Sequence, residues 1–216
     1  MKSEKNSRNR LQAAAVILAG GSGTRMGGVS KSDLILENAT FITRKIRFTE
    51  QICSEIIISA AADTGEFMLE SLNYTAGDIP IRIVRDESKG HGPLMGILSA
   101  LKASQFEVNF ITTVDSPIIS IPFAAYLIQG LGDNDAHVPI WNGYPEPLFA
   151  VYQKSCIPYI QESIMENRRK IVSFYDKVSV KYADSEVVKE YDAYGSSFTN
   201  INTQEEYRKL LESQSW

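Results

Sequence analysis

The fold is decided by residues 13–31, which read AAAVILAGGSGTRMGGVSK. The first part, Ala13 to Ala19, is a short continuous apolar run, which is typical of a strand buried on both faces of a sheet. Glycine then occupies five of the nine positions from 20 to 28, so the backbone N–H groups there can approach phosphate oxygens closely. A buried strand followed by such a loop predicts an open α/β sheet that binds phosphate at the carboxyl edge of its strands.

The loop is also a local concentration of positive charge. Arg25 and Lys31 belong to it, and no acidic residue lies between Gly20 and Ser32. The 216-residue chain as a whole carries 22 Lys and Arg against 26 Asp and Glu, a formal net charge of −4. Because nucleic acids and anionic membranes attract basic surfaces, we expect neither as a partner. The polyanion that this protein binds is expected at the glycine-rich loop.

Two common phosphate-loop signatures do not fit this stretch. A Walker A loop requires Gly-Lys-Ser/Thr, but Ser30 precedes Lys31 and Ser32. A Rossmann dinucleotide fingerprint would place its third glycine at position 26, where the chain has Met26. The acidic residue expected at the end of the second strand is also missing. The loop therefore indicates a different class of nucleotide-binding protein.

The rest of the chain alternates between predicted strands and helices. Further strands are predicted at Glu55–Ala60, Ile81–Val84, Phe110–Val114, Ala136–Trp141 and Leu148–Tyr152, the last two joined across Asn142-Gly143. Helices are predicted at Ile42–Ile52, Pro93–Ala103, Ser120–Leu131, Ser155–Asn167 and Thr203–Leu211. Ser120 is the expected N-cap of its helix, and Thr203 and Glu206 have the spacing of a capping box. The alternation predicts a single-domain, Rossmann-like α/β fold with a mostly parallel mixed sheet and helices on both faces.

The N-terminal segment, the lengths of the apolar runs and the two cysteines indicate in which compartment of the cell the protein is expected. Residues 1–12 are polar and predict a disordered tail before a domain at 13–212, and they lack the apolar stretch of a secretory signal. No apolar run approaches the roughly 18 residues needed to span a bilayer. Cys53 and Cys156 lack metal-ligand spacing. We therefore expect a reduced, soluble domain in the cytoplasm.

The stretch from Leu18 to Lys31 resembles the signature of nucleotidyltransferases with the GT-A-like fold. Within that superfamily it is most similar to the molybdenum cofactor guanylyltransferase (MobA-like) family. Further segments match in the family's order: Asp86 after the third strand, Gly92-Pro93-Leu94-Met95-Gly96, Val114-Asp115-Ser116-Pro117, PLFAVY at 147–152 and FTNINT at 198–203. The resemblance runs from about residue 13 to 211. Each motif alone is short, and it is their order that makes the resemblance specific.

The resemblance implies an Mg²⁺-dependent enzyme that transfers GMP from GTP to the phosphate of molybdopterin cofactor and releases pyrophosphate. It implies nucleotide contacts from Leu18, Ala19, Gly20, Gly21, Lys31, Ser59, Asp86, Gly92, Gly96 and Asp115. Asp115 would bind Mg²⁺, and Asp86 would accept hydrogen bonds from guanine. Arg25 and Lys31 would neutralise the triphosphate as catalytic cations. Asn200 and Asn202 are candidates for contacting the acceptor or for a second metal ligand.

Two positions depart from the family pattern. Ser30 stands where the family often has Asp or Asn, and Ser59 where it often has Asn at the end of the second strand. Serine keeps the capacity to hydrogen-bond but reaches less far than asparagine. Sugar-phosphate nucleotidyltransferases usually carry proline before the lysine, so Ser30 at that place favours the molybdopterin acceptor.

The residues themselves leave structural alternatives open. Asp115 is also suited to a helix cap or a turn before Pro117, and Asn200 and Asn202 to turn chemistry. Asp86 is equally suited to a surface ion pair with its neighbour Arg85. Arg25 and Lys31 are each also suited to be a solvated cation on the surface.

Three alternative functions also stay open. The first is a nucleotidyltransferase that uses CTP or a sugar-phosphate acceptor. The second is a non-catalytic nucleotide-binding protein that delivers the cofactor, with other cofactor-biosynthesis or delivery proteins as candidate partners. A dinucleotide-dependent oxidoreductase is the third.

Overall fold

The computed structural model describes residues 10–19, 25–26, 29–61, 79–88 and 90–213. Its strands are β1 (Leu11–Leu18), β2 (Arg25–Met26), β3 (Val29–Ser30), β4 (Ile35–Leu36), β5 (Ala39–Thr40), β6 (Cys53–Ala60), β7 (Ile81–Arg85), β8 (Val108–Thr113), β9 (Ala136–Trp141), β10 (Tyr144–Pro145), β11 (Ala150–Gln153) and β12 (Val180–Ala183). Its α-helices are α1 (Phe41–Thr49), α2 (Pro93–Ala103), α3 (Ile121–Gln129), α4 (Ile157–Met165), α5 (Ser185–Tyr191) and α6 (Gln204–Ser213). In these ranges no helix is both long and apolar enough to cross a membrane.

One large sheet organises the molecule. Its strand order is β10-β9-β11-β8-β1-β6-β7, and β12 pairs with β9. Strand β1 pairs in parallel with β6 and β8, and β7 continues the parallel set beside β6. Strand β11 is antiparallel to both β8 and β9. The prediction of a mostly parallel mixed sheet is confirmed, and the carboxyl ends of four neighbouring strands share one edge.

Strand β1 is apolar and buried from Ala13 to Leu18, where helices cover both faces of the sheet. Its residues Ala13, Ala15 and Ile17 belong to the core cluster that includes buried side chains of α1 and α3. Its residues Ala14, Val16 and Leu18 belong to a second cluster with α2 and α4. Successive side chains of a strand point to opposite faces, so a strand covered on both sides has no polar face. The prediction of helices on both faces is confirmed.

The helix-capping predictions are confirmed in detail. Helix α2 has the predicted bounds, Pro93–Ala103. Ser120 caps α3, and its side chain accepts a hydrogen bond from the N–H of Phe123. Before α6, the N–H of Glu206 donates to Thr203 Oγ1 at 3.2 Å, while the N–H of Thr203 donates to Glu206 Oε2 at 2.8 Å. This reciprocal pair is the capping box that the spacing predicts.

The strand pairing around Asn142-Gly143 differs from the prediction. Both residues have positive φ, 50° and 83°, as a tight hairpin turn requires. The turn joins β9 to the two-residue strand β10, however, and not to a strand that begins at Leu148. A further turn, in which the N–H of Phe149 donates to the carbonyl of Glu146 at 3.1 Å, separates β10 from β11. Strand β11 therefore begins only at Ala150.

Several elements were not predicted from the pattern. They are the short hairpins β2–β3 and β4–β5, the edge strand β12 and the helix α5. Strands of two residues are too short for a periodicity, and β12 has the burial pattern of a mostly exposed edge strand. At the other end of the chain, β1 already begins at Leu11. Residues 1–9, most of the predicted tail, lie outside the described residues.

Candidate active site

Strand pairing gathers the predicted site residues at the carboxyl edge of the sheet. Leu18, the last residue of β1, is in register with Ser59 of β6 and with Thr113 of β8. The pairing continues beyond the strand ends, because the N–H of Ala19 donates to the carbonyl of Ser59 at 2.8 Å and the N–H of Asp86 to that of Ala60 at 3.0 Å. Ser59, Asp86 and the segment that leads to Asp115 therefore flank the end of β1.

Part of the glycine-rich loop can be placed by its backbone alone. Arg25 in β2 pairs with Ser30 in β3, so the second half of the loop is a short hairpin. The predicted contacts Gly20 and Gly21, and the side chain of Arg25, lie outside the described residues. Ser30, one of the two departures from the family, shares a 2.7 Å hydrogen bond between its hydroxyl and that of Ser32.

The first of two polar groups at this edge lies where helix α2 begins. A Cβ atom at Gly96 would lie 2.8 Å from Ser59 Oγ, 3.1 Å from Leu18 Cδ2 and 3.7 Å from Asp86 Oδ1. Only glycine permits this close approach of the helix to the strand ends. Four predicted nucleotide contacts, Leu18, Ser59, Asp86 and Gly96, are therefore brought together; we call them the base cluster.

Within the base cluster, Ser59 orients the carboxylate. Its Oγ donates to Asp86 Oδ1 at 3.3 Å. Partial burial raises the pKa of Asp86, and the hydrogen bond from Ser59 opposes that rise. Ser59, near the end of β6, thus acts on Asp86, a role for which its short side chain is long enough.

Gly92, at the N-cap of α2, has φ 61° and ψ −152°, a conformation open essentially only to glycine.

The second polar group joins three distant segments. Lys31 is only 6% exposed, and its Nζ donates to Asn202 Oδ1 at 2.5 Å. The same Nζ lies 3.5 Å from Asp115 Oδ2. The N–H of Ile201 donates to the carbonyl of Asp115 at 2.8 Å, which fastens the segment around Asn202 to the end of β8. Lys31, Asp115 and Asn202 form what we call the phosphate cluster, and Lys31 is not a solvated surface cation.

Asp115 has an oxygen available for a ligand. Its Oδ1 is buried and has no hydrogen-bond partner, whereas Oδ2 faces Lys31. A buried acceptor without a partner is costly and marks a place where a ligand completes the bonding. In the described ranges, His, Cys, Asp and Glu side chains form no group of three or more that could hold a metal ion. The carboxylate of Asp115, with its unpartnered Oδ1, suits Mg²⁺, which proteins usually hold by one or two carboxylates together with substrate phosphates and water.

The two asparagines of the FTNINT segment are both exposed but differ in their contacts. Asn202 belongs to the phosphate cluster through its side chain, and its backbone N–H donates to Glu206 Oε2 at 2.7 Å. Asn200 is exposed and is followed by the buried Ile201. The capping box of α6 thus also holds the backbone of Asn202, while Asn200 is not brought into contact with Lys31 or Asp115 by any of the bonds described here.

One charged residue beside the site was missed by sequence reasoning. Lys45 of α1 is fully buried, and its Nζ donates to Thr112 Oγ1 at 2.9 Å and to Ser116 Oγ at 3.1 Å. Burial lowers the pKa of Lys45 to about 7, opposed by the charge of Asp115. A signal was present in the sequence, because Lys45 lies three or four residues from Phe41, Ile42 and Thr49 on the inward stripe of the helix.

Comparison with known proteins finds similar sequences over most of the chain. The profile of the MobA-like NTP transferase domain matches residues 15–180. The probable molybdenum cofactor guanylyltransferase of Pelotomaculum thermopropionicum is 33% identical over 193 residues, 89% of either chain. That of Carboxydothermus hydrogenoformans is 32% identical over 195 residues, 90% of this chain and 93% of the relative.

A solved structure shows the same fold. The crystal structure of molybdopterin-guanine dinucleotide biosynthesis protein A from Archaeoglobus fulgidus superposes with a TM-score of 0.73 at 25% identity, covering 93% of this chain and 97% of that one. The family resemblance expected from the motifs is therefore confirmed over most of the chain. Since profile, relatives and fold agree, the chain belongs to the MobA-like NTP transferase family.

Proposed function

We propose that this protein transfers GMP from GTP to the phosphate of molybdopterin cofactor, forming the guanine dinucleotide cofactor and pyrophosphate. The observation that carries the proposal is that the base cluster and the phosphate cluster lie at one edge of the sheet, on either side of the end of β1. The names of the relatives, which are guanylyltransferases of the molybdenum cofactor, support the choice of nucleotide and acceptor.

The base cluster suits guanine. The carboxylate of Asp86 offers acceptor oxygens, and guanine presents two donors side by side, N1–H and N2–H₂. Cytosine presents one donor beside an acceptor on the corresponding edge, so a carboxylate would face an unmatched lone pair. Ser59 donates a hydrogen bond to Asp86 Oδ1, and the absence of a side chain at Gly96 lets helix α2 lie directly against Ser59 and Asp86.

The phosphate cluster suits attack at the α-phosphorus. An oxygen of the acceptor phosphate forms the new bond to that phosphorus, the bond to the α–β bridging oxygen breaks, and pyrophosphate leaves with the electron pair. Two polyanions must approach each other, so positioning and charge neutralisation dominate the catalysis. Lys31 supplies a buried positive charge for the triphosphate. We assign Arg25 to the same task from the loop sequence.

Asp115 would hold Mg²⁺ through its unpaired Oδ1, with Asn202 as a candidate second ligand. When bound, Mg²⁺ neutralises developing charge on the phosphates and orients the reacting groups. Lys31 Nζ, which contacts Asp115 and Asn202, is placed to contact phosphate oxygens beside the metal. We place the reaction in the cytoplasm; the two buried, free cysteines, Cys53 and Cys156, are compatible with a reducing compartment.

The proposal is tested with purified protein, Mg²⁺, molybdopterin cofactor and one nucleoside triphosphate at a time. GTP should yield pyrophosphate and a guanine dinucleotide in equal amounts. Turnover with CTP and none with GTP would reject the guanine assignment, and turnover only with a sugar phosphate would reject the acceptor. GTP binding without turnover, seen as a thermal shift, would indicate a nucleotide-binding delivery protein instead.

A further inference from the structure

A buried lysine, Lys45, contacts the segment that carries Asp115, the proposed metal ligand. Lys45 extends from α1 to the end of β8, where its Nζ donates to Thr112 Oγ1 at 2.9 Å and to Ser116 Oγ at 3.1 Å. Thr112 is buried within β8 and Ser116 is buried just beyond it. The two contacts therefore lie on either side of Asp115 along the chain.

Packing alone does not account for a lysine at this position. The other inward residues of α1 include Phe41, Ile42 and Ile46, which fill the core without a charge. Burying an ammonium group carries a desolvation cost, which is also the reason that the pKa of Lys45 falls to about 7. An apolar side chain of similar length would avoid that cost. The hydrogen bonds to the segment 112–116 are what distinguishes lysine from such a residue.

The backbone around Asp115 is held by other contacts. The N–H of Val114 donates to the carbonyl of Leu18 at 3.0 Å, and the carbonyl of Asp115 accepts from Ile201 at 2.8 Å. These bonds fix the main chain of the turn from the side of the sheet and from the C-terminal segment. Lys45, which belongs to α1, donates hydrogen bonds to two hydroxyl side chains of the same segment. Asp115 thus interacts with two lysines: Lys31 Nζ lies 3.5 Å from its Oδ2, and its charge also acts on Lys45.

We propose that Lys45 is a positioning residue for the nucleotidyl transfer, holding the segment 112–116 so that Asp115 presents its unpaired Oδ1 to the metal. The inference rests on the proposed function, because it acts through Asp115. Lys45 makes no contact with the substrate in this scheme. Groups that orient a metal ligand typically affect metal affinity or activity about 10- to 100-fold when they are removed.

The test uses Lys45→Met, which keeps an unbranched side chain, one atom shorter, and removes the donor. We expect kcat to fall about tenfold or more, and KM for GTP to rise only by the part of the GTP affinity that depends on Mg²⁺, because the base cluster lies on other segments. Binding supplies a second readout: the Kd of GTP is measured by calorimetry with Mg²⁺ and with EDTA. The gain in affinity from Mg²⁺ should shrink in Lys45→Met, whereas the Kd in EDTA should stay unchanged.

Matched variants separate positioning from general loss of packing. Ile46→Val, at the neighbouring buried position of α1, should lower stability by about 0.5–1.5 kcal/mol but leave kcat and the gain from Mg²⁺ unchanged. Ser116→Ala and Thr112→Val each remove one partner of Lys45 and should act in the same direction as Lys45→Met, to a smaller extent. They decide the question if Lys45→Met does not fold.

Failure of the inference can be told apart from failure of the proposed function. Asp115→Asn should lower kcat and abolish the gain in GTP affinity from Mg²⁺. If Asp115→Asn leaves both unchanged, the metal assignment in the proposed function is wrong, and the inference falls with it. If Asp115→Asn has its expected effect while folded Lys45→Met keeps the wild-type kcat and Mg²⁺ gain, only the role of Lys45 is overturned. That role is overturned equally if Ser116→Ala and Thr112→Val both behave as wild type.

Discussion

Lys31 Nζ lies 2.5 Å from Asn202 Oδ1, although 171 residues separate them in the chain. The contact brings the end of the glycine-rich loop against the segment that leads into the last helix, with Asp115 beside both. A buried ammonium group held by a carboxylate and an amide oxygen has a defined position before any phosphate arrives. Preorganised charge of this kind costs no reorganisation when negative charge develops in the reaction.

Replacing Lys31 by Met should lower kcat/KM for GTP about 100- to 1000-fold, since it removes a preorganised donor to the phosphates. Pyrophosphate release measures the effect. Lys189 is the matched control, because it is a half-exposed lysine paired with Glu186 on the surface of α5. Lys189→Met should react at the wild-type rate. A Lys31→Met enzyme with wild-type kcat/KM would remove Lys31 from the catalytic site.

Gly96→Ala should weaken GTP binding. The new Cβ would lie 2.8 Å from Ser59 Oγ and would press on the base cluster. We expect KM for GTP to rise about tenfold, equivalent to about 1.4 kcal/mol. Gly132→Ala serves as the control, because Gly132 has a φ of +59° but lies in the loop after α3. Gly132→Ala should lower the melting temperature and leave KM for GTP unchanged. If Gly96→Ala and Gly132→Ala have the same KM for GTP, the prediction is contradicted.

Asp86→Asn should change the base that the enzyme selects. Asparagine keeps an oxygen that can accept from Ser59 and exchanges the other acceptor for an N–H₂ donor. Guanine N2–H₂ would then face a donor, whereas xanthine presents an oxygen at that position. We expect kcat/KM for GTP to fall about 100-fold or more and turnover of XTP to appear. Retention of full GTP preference would show that Asp86 does not contact the base.

The burial of Lys45 should make stability depend on pH in a defined window. Its pKa falls from 10.5 to about 7 in the folded protein, so between these values the unfolded chain binds more protons than the folded one. The free energy of unfolding contributed by Lys45 is lowest below about pH 7 and rises from there toward pH 10.5. The slope reaches about 1.4 kcal/mol per pH unit at most.

Urea denaturation of the wild type and Lys45→Met between about pH 6 and pH 9.5 isolates this contribution, because the other ionisable groups largely cancel in the difference. The wild type should gain stability relative to Lys45→Met as the pH rises. Parallel stability curves for the two proteins over this range would show that Lys45 keeps its ordinary pKa in the folded state.

Local patterns were enough to predict much of the fold. The apolar run of β1 predicted a strand covered on both faces, and the helical spacing of Leu94, Ile97, Leu98 and Leu101 predicted the helix α2. Thr203 and Glu206 predicted a capping box because its two hydrogen bonds join residues three apart. The turn at Asn142-Gly143 was predicted correctly, but its partner strand was not. Which strand pairs with β9 across the turn depends on the register of the whole sheet, which is a long-range property.

The sequence by itself determined the chemistry of the glycine-rich loop and the order of the motifs, because backbone freedom, charge and hydrophobic period are local properties. Tertiary structure decided how those motifs combine. Only the sheet order β8-β1-β6-β7 brings Asp115, Leu18, Ser59 and Asp86 to one edge. Only the folded chain brings the side chain of Lys45 from α1 to Thr112 and Ser116, where it is a buried partner of the segment around Asp115. Burial and contacts between distant segments arise from the folded chain, and they set both the pKa of a lysine and the geometry of a site.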